Sequence, residues 1–213
     1  MNNVRIARSN TRADWTERRE QLTQNPVLWG DTFDSYFQAR LDSRYFDPIT
    51  KINPAPTEDP SGQFDGEGFA IVAILCSLVE FLETCRSGSL FAKGCQSNAY
   101  PAVAPNWHYD TGTSARIFNV FLTSHLNFTE SQAHDFYVKV RCAVLHNAKT
   151  DDPWVIRVAP SGVNNLVGED GDKTVLYRNV FVEKLRAYVT SYRTELLSNS
   201  VLQDAFIRKF NTL

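Results

Sequence analysis

Cysteine is scarce in this chain: four residues, Cys76, Cys85, Cys95 and Cys142, and no two of them spaced as C-x-x-C. That spacing excludes the usual zinc frameworks, and reduced, mostly buried thiols are expected instead. Charge of one sign is lacking too. A net charge of −2 and a pI near 6.1 exclude a generally basic nucleic-acid coat and leave room only for a local basic patch. Long hydrophobic runs are few. The most apolar, Phe69 to Leu82, is shorter than the roughly 20 residues that cross a bilayer and contains Glu80, so no membrane span is expected. The opening residues, Met1 to Arg8, contain no apolar leader core; no signal peptide is expected, and a cytoplasmic location is. The Asn127-Phe128-Thr129 sequon has no meaning without secretion. Internal repeats at solenoid periods and low-complexity stretches are absent as well.

What remains is ordinary globular material, 43% hydrophobic and 22% charged, long enough to bury about 70% of its unfolded surface without a metal or disulfide. The fold class is read as mainly α, a helical bundle with a small β-hairpin appendage, in a single domain over 1–213. Its expected parts are an N-terminal arm or helix (1–28), a bundle core (29–150), a β-hairpin insertion (151–177) and C-terminal helices (178–213). Residues 11 to 22 are polar and helix-compatible. Phe33, Phe37, Leu41 and Tyr45 recur every four residues, an apolar helical stripe that Pro48 should end. Residues 52 to 68 read as a loop. The run Phe69 to Leu82 is apolar on nearly every face, which predicts a helix surrounded by others. Residues 86 to 113 read as a long irregular connection. Ser114 should cap the next helix. Thr129 and Gln132 form a capping box for a helix reaching about Ala148, with Ala133, Phe136, Tyr137, Val140, Val144 and Leu145 inward. Trp154 to Val158 and Thr174 to Tyr177 read as the two strands of a hairpin with a long tip. Asn179 should cap a last long helix, followed by a short one around Leu202 to Phe210.

Chemistry is suggested at one place. Arg141 and His146 are separated by four residues on the helix that starts at Thr129. Histidine titrates near neutral pH and can give or take a proton; arginine carries a permanent charge on a planar fork that suits phosphate oxygens. Five residues at about 100° each place the two side chains roughly 140° apart on an ideal helix, so a shared site requires two copies of the helix facing each other. The structural alternative stands beside this: Arg141 pairs with Glu80 and holds two helices in register, and His146 merely complements a helix C-terminus. Trp107, His108 and Tyr109 suggest a base-stacking loop or, alternatively, a loop pinned by packed aromatics. Arg5, Arg8, Arg12, Arg18 and Arg19 form a basic N-terminal stretch that reads as a solvated face or arm or, alternatively, as a contact to RNA phosphates. His125 and His134 have no partner at metal-ligand spacing, and no G-K-[ST] follows Gly62, Gly66 and Gly68, so neither a metal nor a phosphate-loop cofactor is expected.

The Arg-x4-His spacing, together with Arg44 to Ile49, Gly66 to Ala70, Leu78 to Leu82 and Phe136 to His146, resembles a bacterial family of HEPN-like proteins. The resemblance extends loosely over residues 30 to 196. It implies a helical homodimer and, as in catalytic members, metal-independent RNA cleavage in a toxin or phage-defence setting. His146 would transfer protons, Arg141 would meet phosphate charge, Asn147 would add a hydrogen bond and Glu80 would support Arg141. Cys142 departs from the polar residue that often follows the arginine in such motifs. The alternative function is a non-catalytic helical dimer that binds RNA or protein.

Overall fold

The computed structural model describes residues 4–52, 66–95 and 106–213. In chain order the strands are β1 (Arg5–Ala7), β2 (Asn10–Thr11), β3 (Leu90–Phe91), β4 (His108–Tyr109), β5 (Trp154–Arg157), β6 (Val167–Asp170) and β7 (Lys173–Tyr177). The helices are α1 (Arg12–Gln24), α2 (the unbroken helical stretch 29–52), α3 (Glu67–Ser87), α4 (Ser114–His125), α5 (the unbroken stretch 130–147), α6 (Arg178–Leu196) and α7 (Ser200–Phe210). The chain is thus mainly α with small sheets of two or three strands. Its residues group into two compact units, Met1–Asp47 with Leu82–Ser114 and Val189–Leu213, and Pro48–Phe81 with Ala115–Tyr188.

The first unit is organised by aromatic rings. Trp15 on α1 lies against Tyr36, Phe206 and Phe210, with centroids 5.2–6.0 Å apart. Phe206 and Phe210, one turn apart on α7, stack at 4.3 Å. The indole N–H of Trp15 donates to the Asn211 side chain at 2.9 Å. Thr11 starts α1 with a reciprocal capping box to Asp14, which satisfies two backbone donors that a helix start otherwise leaves open.

Helix α2 departs from the reading of Pro48 as a terminator. It continues to Ile52 because π-helical turns at Phe33–Gln38 and Asp42–Phe46 replace the regular ladder just before Asp47–Ile52. Proline then enters the first turn of a new α segment, where its missing N–H costs least. The same π turn moves the buried position from Tyr45 to Phe46, which is 1% exposed.

The expected apolar helix is α3, 21 residues long, of which the residues to Phe81 belong to the second unit. By length and composition alone it could cross a membrane, longer than the run read from sequence. Its Ile71, Val72, Leu75, Leu78 and Val79 are buried within the protein. Asp110, not Ser114, makes the capping box ahead of α4, through a 3-10 turn at Thr111–Thr113; backbone N–H groups of Thr111 and Gly94 hold its carboxylate below the usual range. The Thr129–Gln132 box at the start of α5 is present as read. Leu145, expected inward, is 47% exposed: helical periodicity from Val140 selects Ala143 and Val144 instead.

The small sheet corrects the hairpin assignment. Trp154–Arg157 pairs with β7 in parallel, and the antiparallel partner of β7 is β6. A parallel pair needs a crossover of a dozen or so residues, and β6 lies within that connection. Its Val-Gly-Glu-Asp sequence carries little strand signal, so it was legible only as part of a tip. Gly171, φ +63°, occupies the first of the two loop positions between β6 and β7, where two-residue hairpins favour glycine. Nor does Asn179 cap α6, which begins one residue earlier; its side chain accepts from the Ala159 N–H at 2.8 Å. Within the expected irregular connection 86–113, β3 and β4 pair in parallel, and residues 96–105 lie outside the described residues, as do 53–65 of the expected loop.

All four cysteines are free thiols. Burial pushes Cys76 and Cys85 up to about 12, against about 8.5 in an open chain. The folded chain therefore holds these protons after the unfolded chain has lost them. Their stabilising contribution is complete below about pH 8.5 and is lost as pH rises toward 12, at about 1.4 kcal/mol per pH unit per thiol. Urea unfolding at pH 7.5 and 10.5 should show this decline, and Cys85→Ala should flatten it by roughly one thiol's share; an unchanged slope would contradict the assignment.

Candidate functional site

The site read from sequence centres on α5. Thr129 and Gln132 fix its start through bonds of 3.0 and 3.2 Å. A π turn at Tyr137–Cys142 carries Arg141, and Ala148, φ +52°, ends the helix immediately after Asn147. Ala133, Phe136, Val140 and Ala143 are buried, so the opposite side of α5 faces solvent.

Arg141 and Glu80 come together, with a guanidinium nitrogen 3.6 Å from the carboxylate and side-chain exposures of 19% and 23%. The guanidinium also lies over the rings of Phe118 at 5.7 Å and Tyr137 at 5.4 Å. These contacts tie α5 to α3 and α4, as the structural alternative anticipates. Burial pushes the Tyr137 phenol up, and the nearby Arg141 charge opposes that shift.

His146 and Asn147 are both exposed. Neither makes a hydrogen bond or ion pair among the described residues. Within one copy of the chain, therefore, Arg141 is engaged by Glu80 and its aromatic neighbours, while His146 stands apart at the helix end. Nor do Arg141 and His146 line the depressions along Leu126 to Asp135 and the small sheet, or the one beside Gly68 and Arg178.

Trp107, His108 and Tyr109 belong to the other unit. Arg208 lies over the Trp107 ring at 3.6 Å, Tyr109 is buried and packs edge-on to Phe91, and a His108 ring nitrogen lies 3.2 Å from the Asn106 side-chain oxygen. Two of the three rings are thus engaged in packing, as a pinned loop requires. The basic N-terminal stretch is likewise tied down: Arg8 meets Asp47, Arg18 meets Asp31, and Arg12 and Arg19 bond Leu213 and Asn211. No group of three or more metal-ligating side chains converges among the described residues.

Sequence reasoning missed the ground around the start of α5. Asp135 accepts from the Trp154 indole at 2.7 Å and pairs with Lys139 at 2.9 Å. Burial works against its ionisation, but these bonds hold its carboxylate below the usual range. The only available signal was the indole N–H of Trp154, which needs a partner once buried.

No protein-family model matches the chain, and no curated protein or solved structure is significantly similar to it.

Proposed function

We propose that this protein is a non-catalytic helical interaction module that pairs two copies through the solvent face of α5. The observation that carries this reading is the exposure of Val138 and Leu145, 44% and 47%. Both lie on α5 outside its buried set of Phe136, Val140, Ala143 and Val144, and so share its solvent side. Covering that side with the same side of a second copy makes a two-fold interface. The pairing of Arg141 with Glu80 fits such a module, because it braces the helix behind that side. In sedimentation at micromolar concentration, the protein should run as a dimer and the Val138→Asp, Leu145→Asp double variant as a monomer. A strictly monomeric parent protein would end the proposal.

A second reading, metal-independent RNA cleavage of the HEPN type, draws support from the placement of Arg141 and His146. Both stand on the helix proposed to pair, His146 next to Leu145, so that pairing would bring both copies of this helix to one seam. His146 is exposed and without a partner among the described residues, as a proton-transfer group meeting substrate must be. Incubating the protein with total RNA in EDTA distinguishes the two. Cleavage abolished by His146→Ala supports the ribonuclease; no cleavage, or cleavage unchanged by that substitution, leaves the interaction module.

A further inference from the structure

The small sheet has an open edge. Its order is β5-β7-β6, so β6 has a neighbour on one side only. The direction of its backbone groups follows from the register. Leu166 and Tyr177 form a hydrogen-bonded pair, with the Tyr177 N–H donating to the Leu166 carbonyl at 3.0 Å. The pairs Val167–Leu176 and Glu169–Thr174 continue that register. In an antiparallel ladder, hydrogen-bonded and non-hydrogen-bonded pairs alternate. Val167 and Glu169 are therefore non-bonded to β7 and turn their N–H and C=O groups away from it. The Thr174 N–H donating instead to Pro153 at 3.0 Å agrees with this phase. No partner for the outward groups of Val167 and Glu169 occurs among the described residues.

Two depressions flank β6, the larger over the sheet face that Trp154, Thr174 and Glu169 share, and they meet at Gln132 and Val167, which line both. One, about 490 Å³, reaches Asp135 and Glu169. The other, about 230 Å³, reaches Asn164, Asn165 and Lys184. Their ends differ in charge. Asp170 and Asp172 are held by Arg157 and Lys173, whereas Glu169 and Lys184 make no ion pair among the described residues. The lysine lies toward the start of β6 and the carboxylate toward its end.

We propose that the outer edge of β6 receives an extended peptide of a partner protein as an added antiparallel strand, its basic N-terminal end at Glu169 and its acidic C-terminal end at Lys184. Strand addition supplies backbone hydrogen bonds to an otherwise unpaired edge. Antiparallel pairing is the more stable ladder per residue, and in that direction the peptide's carboxyl end comes to the start of β6, beside Lys184. A second copy of β6 offers Glu169 no counter-charge: in the register that pairs Val167 with Glu169 of the other copy, each carboxylate faces a valine. This surface is separate from the Val138–Leu145 surface and does not depend on it.

The test uses two labelled hexapeptides of one composition, Lys-Thr-Val-Thr-Val-Asp and Asp-Thr-Val-Thr-Val-Lys, with fluorescence anisotropy on the full chain. The first should bind at least tenfold more tightly. Glu169→Pro removes an outward N–H without taking a ladder bond and should weaken binding tenfold or more at an unchanged melting temperature. The backbone-neutral Glu169→Lys, Lys184→Glu double variant should reverse the preference between the peptides. Equal binding of both peptides, binding of neither, or a preference unmoved by the charge exchange overturns the proposal. So does a protein dimer that Glu169→Pro dissociates, which would make β6 a contact between copies.

Discussion

Phe136→Ala should destabilise the protein by about 3–5 kcal/mol, the usual cost of emptying a fully packed phenylalanine site. Phe136 is 0% exposed, and its ring meets three others edge-on: Phe128 at 5.7 Å, Trp154 at 5.8 Å and Phe181 at 5.9 Å. These rings belong to the segment before α5, to β5 and to α6, so one truncation removes apolar contact from three elements together. Rings from separate elements cannot all collapse into the same void, which places the expected cost at the upper part of the range. Urea unfolding of Phe136→Ala and Phe136→Leu provides the check. The leucine variant should recover much of the loss, because it refills part of the volume. A cost for alanine below about 1 kcal/mol would be inconsistent with the close-packed site described. The consequence reaches both functional surfaces, since α5 carries Val138 and Leu145 and Trp154 lines the depression beside β6.

Gly88→Ala should cost about 3 kcal/mol for two additive reasons. Gly88 follows α3 with φ +67°, a conformation that penalises a side chain by roughly 1–2 kcal/mol. A Cβ there would also stand 2.8 Å from the Ala205 Cα and would collide with the Arg208 guanidinium. Main chain cannot give way as a flexible side-chain end can, and overpacking of this kind typically costs 1–3 kcal/mol more. Arg208 is itself held, donating to the carbonyls of Gly88 at 2.9 Å and Ser87 at 3.3 Å while lying over Trp107. Thermal unfolding of Gly88→Ala should therefore show a drop of several degrees, accompanied by a change in the Trp107 environment. A variant within 0.5 kcal/mol of the parent protein would refute the close approach of α7 to this turn.

Much of the secondary structure was legible in local chemistry. Thr129 and Gln132 announce a helix start because the capping box is satisfied within four residues. The apolar run in α3 announces a helix through length and hydropathy alone, although Ala70 and Ser77 on it are exposed. The spacing of Phe33, Phe37 and Leu41 likewise reports the inward side of α2. These features depend on neighbours a few positions away, and such neighbours are visible in any sequence.

What resisted reading depends on partners distant in the chain. The parallel pairing of β5 with β7, and the presence of β6 between them, follow from which backbone groups find each other after folding. Pro48 within a helical stretch depends on π turns that no short-range propensity announces. The engagement of Arg141 could be offered from sequence only as one of two alternatives. Tertiary structure places its guanidinium beside Glu80 and over Phe118 and Tyr137, because an arginine removed from water needs a counter-charge and polarisable faces. It leaves His146 in solvent, since the helix ends one residue later. The sequence by itself determined a mainly α chain, the helix that carries both residues and the faces that must be buried, through composition, capping and periodicity. Only the tertiary structure decided that Arg141 is braced from within, that Val138 and Leu145 remain exposed, and that β6 keeps an open edge. Each of those outcomes is set by packing and hydrogen bonding between segments far apart in sequence.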